Sequence, residues 1–284
     1  MLSERLFSVR EVDLNLAEGP QSGPTLVLLH GGSGRWQYAF DSIIPDLIKY
    51  WHVLAPDFRG HGKSGRVPGR YRLQDYAQDT IELLRSLPEP AIVFGHSMGA
   101  QVALLAAAEH PMRALVLGDT PFTIETLRTA VHNPIHRANL MEWRRLSGSP
   151  QHEILPVLEQ APIIGQNFTS RPAIEVFGKD SPWFAAMALN LAQLDPGTLD
   201  AVLEFEAMHS LFQPYQNFPQ ITCPVLILQG DPVFGGMLPD VEVAAALSRL
   251  PHALHFKFKG IGHALHNAQK DPVLKALLGF LDGV

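Results

Sequence analysis

Apolar and polar positions along the first 120 residues switch between two periods. Short runs apolar on both faces lie at 25–29 (TLVLL), 52–55 (HVLA), 91–94 (AIVF) and 114–117 (ALVL). Continuous apolar runs of that length mark parallel strands covered on both sides. Between them, 38–50, 73–87 and 98–110 carry helical spacing. The stretch 6–16 alternates instead, as antiparallel edge strands do. Repeated strand–helix units predict a mostly parallel sheet with helices on both faces, an α/β fold.

The pattern changes after residue 120. Amphipathic runs near 123–131, 138–146, 154–160, 183–191 and 198–207 follow one another without a convincing buried strand, broken by prolines and glycines. The strand pattern returns at 225–228 (VLIL) and 254–258 (LHFKF), and a last helix is expected near 273–280. A helical block between two strands of one sheet predicts a lid at 121–220 over a core made of 1–120 and 221–284. No internal repeat or low-complexity tract interrupts this plan.

One strand–helix junction carries chemistry. The run at 91–94 leads into Gly95-His96-Ser97-Met98-Gly99 and then an alanine-rich helix. A serine held between glycines at a strand-to-helix turn is exposed above the sheet, and the helix start leaves N–H groups free to meet an oxyanion. A serine needs a base. His263, in Gly260-Ile261-Gly262-His263, follows the last expected strand and lies at the same sheet edge as the turn. His266 is expected as a supporting or lid contact. The orienting acid is expected at Asp231, just after the strand at 225–228. The glycine loop His30-Gly31-Gly32-Ser33-Gly34 would supply the Gly32 N–H, with the Met98 N–H, as the oxyanion hole.

With these motifs in order, the chain resembles the lidded α/β-hydrolase group of esterases, C–C bond hydrolases, proline iminopeptidases and epoxide hydrolases. The matching residues are His30-Gly31-Gly32, the run Asp57-Phe58-Arg59-Gly60-His61-Gly62-Lys63-Ser64, Gly95 to Gly99, and Gly262-His263. The resemblance implies an eight-stranded-type sheet with the lid between strands 6 and 7, and a triad in the order serine, acid, histidine. One departure matters. Members usually carry the acid three residues after the glycine ending the seventh strand, where this chain has Val233. Some relatives place it after the preceding strand, where this chain has Asp119. Asp231 is therefore ranked first and Asp119 second. Asp240, a distant third, reads as a helix cap. Epoxide hydrolases and haloalkane dehalogenases of this fold use aspartate where this chain has Ser97. Proline iminopeptidases usually have tryptophan where it has Met98.

Composition narrows the function. The chain has 284 residues, 46% of them hydrophobic, a net charge of −6 and one cysteine, Cys223. That balance points away from nucleic acid and anionic membranes, and a single cysteine forms no internal disulfide. No leader pattern and no apolar run of about 18 residues is visible, so a cytoplasmic protein is expected. No metal or dinucleotide motif occurs, so neither a metal nor another cofactor is expected. The pair of His-Ala-Leu-His runs at 252–255 and 263–266 is a weak metal candidate. The lid is rich in Trp143, Phe168, Phe177, Trp183, Phe184, Met187, Met208 and Phe212. Most must form its own core. His30, Ser33, His96, Trp183 and Phe184 are candidates for the substrate pocket, and Arg137, Arg144, Arg145 and Arg171 for meeting a carboxylate. The expected activity is hydrolysis of a largely apolar small-molecule ester through an acyl-enzyme. Cleavage of a C–C bond, a lactone or a peptide by the same residues is the alternative, as is a ligand receptor with slow turnover on this scaffold.

Overall fold

The computed structural model describes residues 2–164 and 170–284, so Phe168 lies outside the described residues. Eight strands form one sheet in the spatial order β1 (Ser3–Val9), β2 (Val12–Glu18), β4 (His52–Pro56), β3 (Thr25–Leu29), β5 (Ile92–His96), β6 (Ala114–Gly118), β9 (Val225–Gly230) and β10 (Ala253–Phe258). The first two pairings are antiparallel and the rest parallel. Two short strands, β7 (Pro162–Ile164) and β8 (Ser170–Pro172), pair apart from this sheet. Every residue of β6 and β9 is buried, as their unbroken apolar runs require.

Helices cover both faces. α3 (Leu73–Arg85) and α4 (Met98–Glu109) bury one side of the sheet, while α1 (Trp36–Phe40), α2 (Ile44–Leu47) and α14 (Lys270–Leu281) bury the other. The helix expected over 38–50 is two short ones. Pro45 has no N–H to return to the preceding turn, so the helix restarts there.

Between β6 and β9 the chain forms a helical insertion: α5 (Ile124–His132), α6 (Pro134–Leu146), α7 (Gln151–Gln160), α8 (Ala173–Phe177), α9 (Pro182–Ala192), α10 (Pro196–Leu203), α11 (Phe205–His209) and α12 (Pro214–Asn217). The run expected at 198–207 is split at Glu204, whose ψ of 57° leaves the helical region. Glu242 on α13 (Asp240–Leu247) anchors the start of the insertion, accepting from the Phe122 N–H and the Thr123 and Thr126 hydroxyls. Further on, Asp195 accepts from the Tyr71 hydroxyl at 2.7 Å while its N–H donates to the Gly60 carbonyl at 2.8 Å. These bonds tie the insertion to the segments that follow β4 and β9.

Candidate active site

Ser97 sits between β5 and α4 with φ 56° and ψ −122°. A non-glycine residue rarely adopts this conformation, and it persists only where the surroundings over-determine it. A Cβ on Gly95 would land on the Gly99 carbonyl, and one on Gly99 on the Leu29 and His30 carbonyls. The two glycines let helix and strand approach within contact, and the tight turn that results presents the Ser97 hydroxyl. The Ser97 N–H is tied to the Gly118 carbonyl at 2.8 Å.

His263 lies 3.0 Å from the Ser97 Oγ through Nε2 and 2.7 Å from an Asp119 Oδ2 through Nδ1. A carboxylate only accepts, so Nδ1 carries the proton and Nε2 offers its lone pair to the serine. Asp119 is fully buried, directly beyond β6, with φ 41°. Its carboxylate also accepts from the N–H groups of Gly230 (2.9 Å), Met237 (2.8 Å) and Leu238 (3.3 Å). Burial alone would raise this carboxyl. The hydrogen bond and charge of His263, with the Met237 and Gly230 N–H groups, outweigh it and hold the pKa below its usual value.

The acid expected first, Asp231, does not meet His263. Its carboxylate turns to the Val233 N–H (3.1 Å) and the Gly260 N–H (2.9 Å), capping the turn after β9 and bracing the loop before the histidine. The Gly230 N–H beside it already points at Asp119. The missing carboxylate at Val233 is matched by one a strand earlier, the signal that Leu117-Gly118-Asp119 carried. Asp240 is not the helix cap expected of it. Pro239 is the cap residue, and the Asp240 carboxylate meets Lys257 at 2.6 Å and the Gln229 amide at 2.7 Å.

Gly32 and Met98 lie side by side; a Cβ on Gly32 would be 3.8 Å from the Met98 Sδ. Among the described residues neither N–H donates to a protein acceptor. His30 is fully buried, with Nδ1 donating to the Gly31 carbonyl at 2.8 Å and Nε2 accepting from the Phe58 N–H at 3.0 Å. Both ring nitrogens are used, so His30 shapes the glycine loop rather than the pocket. Burial pushes its pKa down to about 4. The Asp57–Ser64 run braces that loop from below: Asp57 accepts from the Trp36 N–H at 2.8 Å and the Asn15 amide at 2.9 Å. Arg59, buried, clamps Asp79 through two bonds of 2.6 Å. Ser33 is buried with φ 56°.

The remaining candidates fall elsewhere. The His96 ring is turned under the His263 main chain, with Nε2 at 2.8 Å from the His263 carbonyl oxygen. His266 is buried, reaching the Ala39 carbonyl and stacked on Phe40, not on the insertion. Phe184 is buried in the insertion's own aromatic cluster with Phe177 and Trp183. Trp183 is half-buried, its indole facing the Tyr38 hydroxyl. Arg144 pairs with Asp200, Arg145 with Glu142 and Arg171 with Glu175. Sequence reasoning passed over His136, half-buried on α6. Burial, with the charge of His263, lowers its pKa. Among the described residues no cluster of histidine, cysteine or carboxylate side chains could hold a metal. No helix there is long and apolar enough to cross a membrane. Cys223 is half-buried, its thiol pushed up to about 11 by burial.

Residues 26–276 match the family described as the Alpha/beta hydrolase family. The chain is 28% identical over 283 residues to the 2-(acetamidomethylene)succinate hydrolase of Mesorhizobium japonicum, spanning 98% of this chain and 95% of that protein. It is 28% identical over 279 residues to the magnesium-chelatase 30 kDa subunit of Rhodobacter capsulatus, spanning 93% and 89%. The crystal structure of E-2-(acetamidomethylene)succinate hydrolase superposes with a TM-score of 0.75 at 22% identity, covering 99% of this chain and 100% of that one.

Proposed function

The chain belongs to the alpha/beta hydrolase family, and from the contacts of its elbow serine we propose that it is a serine hydrolase cleaving a small carboxylic ester through an acyl-enzyme. The observation that carries this reading is the line from Ser97 Oγ through His263 to Asp119, at 3.0 and 2.7 Å. Ser97 Oγ attacks the ester carbonyl as His263 Nε2 takes its proton. The carbonyl oxygen becomes an oxyanion held by the Gly32 and Met98 N–H groups. The same Nε2 then protonates the departing alcohol. Water enters, gives its proton to Nε2 and attacks the acyl carbonyl, and collapse returns the proton to Oγ as the acid leaves. Asp119 keeps the imidazole in the tautomer with hydrogen on Nδ1 and stabilises the imidazolium. The helical insertion acts as a lid whose apolar interior favours an uncharged acyl group.

The test is turnover of short-chain p-nitrophenyl esters. Multiple turnovers with a burst of one p-nitrophenolate per chain, abolished in Ser97→Ala, are expected. Binding without repeated turnover would instead fit a receptor on this scaffold. A second reading, hydrolysis of a small dicarboxylate by the same residues, is favoured by the near full-length similarity to the M. japonicum hydrolase. Faster turnover of 2-(acetamidomethylene)succinate than of any p-nitrophenyl ester would decide for it.

A further inference from the structure

His96 and Ser97 are consecutive, and both hold His263. Ser97 Oγ meets the side chain at 3.0 Å, while the His96 Nε2 lies 2.8 Å from the main-chain carbonyl oxygen. A carbonyl only accepts, so His96 Nε2 carries the hydrogen and donates. Among the described residues no other donor meets that carbonyl. The His96 ring lies over Gly118, where an added Cβ would come within 3.3 Å of its Cδ2. It also packs against the His263 ring, with centroids 4.8 Å apart and planes tilted by 34°. It is therefore wedged between the residue that precedes Asp119 and the loop that carries the base.

This arrangement answers a mechanical problem. His263 stands in a loop between β10 and α14, 31% exposed at its side chain. Its imidazole must stay in register with a serine on one strand and a carboxylate on another. Loops are the mobile parts of a fold, and a misplacement of about 1 Å in a reacting group can cost about 10²-fold in rate. A bond from the strand end that carries the nucleophile fixes the base to the nucleophile's own frame.

We propose that His96 is a positioning residue that clamps the His263 main chain through its Nε2–H and so keeps the imidazole between Ser97 and Asp119. The inference rests on the assignment of Ser97 and His263 above. Burial and the neighbouring His263 and His266 push the His96 pKa down to about 3. The clamp is thus neutral at working pH and places no second positive charge beside the imidazolium.

The test replaces the donor while keeping the volume. His96→Phe has a ring without an N–H, His96→Met is a flexible apolar substitute, and His96→Gln restores an amide N–H near the Nε2 position. Each is compared with the native protein by the inactivation rate limit and half-saturating concentration for diethyl p-nitrophenyl phosphate, a probe that needs no knowledge of the natural substrate. His96→Phe and His96→Met should lose about 10- to 100-fold in the rate limit, with the half-saturating concentration changed less than about twofold. His96→Gln should recover most of the rate. Any variant that does not fold by circular dichroism is set aside, and the comparison of glutamine with the remaining apolar variant decides. Apolar variants as fast as the native protein, or a glutamine variant as slow as they are, overturn the clamp. Ser97→Ala, measured alongside, separates the two levels. If it releases p-nitrophenolate from the probe like the native protein the catalytic assignment itself fails; if it does not react, only the role of His96 is at stake.

Discussion

Asp119→Asn and Asp231→Asn should behave in opposite ways. The Asp119 carboxylate accepts four hydrogen bonds, from Gly230 and Leu238 on one oxygen and from Met237 and His263 on the other. An asparagine keeps the shape but turns one oxygen into a donor. With the NH₂ toward Gly230 and Leu238 two buried donors lose their acceptor, and with it toward His263 only Met237 does, because the imidazole can change tautomer; at about 1–3 kcal/mol for each lost acceptor, stability should fall by about 1–6 kcal/mol. If the amide NH₂ faces His263, the imidazole adopts the other tautomer, with hydrogen on Nε2, and Ser97 loses its acceptor. That change can cost about 10⁴ in kcat, or about 5 kcal/mol of barrier. At Asp231 the carboxylate meets only the Val233 and Gly260 N–H groups. Asparagine caps a turn about as well as aspartate, so kcat should stay within about threefold of the native value. The assay is steady-state p-nitrophenyl ester hydrolysis, run well below both unfolding midpoints, with circular dichroism on both variants. A crippled, folded Asp231→Asn beside a nearly normal Asp119→Asn would refute the reasoning.

Two further outcomes follow from buried charge. Arg59→Ala leaves the buried Asp79 carboxylate without the guanidinium that holds it at 2.6 Å twice; the urea unfolding free energy should drop by about 3–5 kcal/mol, and an unchanged midpoint would show that the pair carries no stability. His30, His61 and His266 are buried and His96 half-buried, with pKa values pushed down to about 4, 3, 4 and 3 in that order. The unfolded chain takes up their protons near pH 6.5 while the native chain does not, so stability is full above that pH and falls as pH drops toward 4, by up to about 1.4 kcal/mol per histidine per pH unit. Unfolding midpoints measured from pH 7.5 to 5 should decline steeply, and a flat profile would contradict the burial of these rings.

Much of this was legible in the chain because it depends on local rules. Unbroken apolar runs mark β3, β4, β5, β6 and β9, and the Gly95–Gly99 turn marks the elbow through the close backbone approach its glycines permit. The helix at 38–50 failed on Pro45, a local signal that apolar spacing outweighed. The carboxylate that meets His263 is Asp119 rather than the Asp231 expected first, for another reason. Asp119 and Asp231 both follow buried strands at the same sheet edge, and sequence cannot tell which carboxylate the loop backbone claims. The N–H groups of Val233 and Gly260 claim Asp231, while those of Gly230, Met237 and Leu238 aim Asp119 at His263. Similarly, His30 and His96 stand beside the catalytic motifs and read as pocket residues. In the structure their ring nitrogens meet the Gly31 and His263 carbonyls instead.

The most direct test of the central claim is covalent. The native protein is treated with diethyl p-nitrophenyl phosphate, and intact mass and peptide mapping then locate the adduct. Activation by His263 and Asp119 predicts one diethylphosphoryl group per chain, on Ser97, and none on Ser97→Ala. An adduct on Ser33 or Ser64 instead, or an unmodified native chain under conditions that label a known serine esterase, would contradict the account.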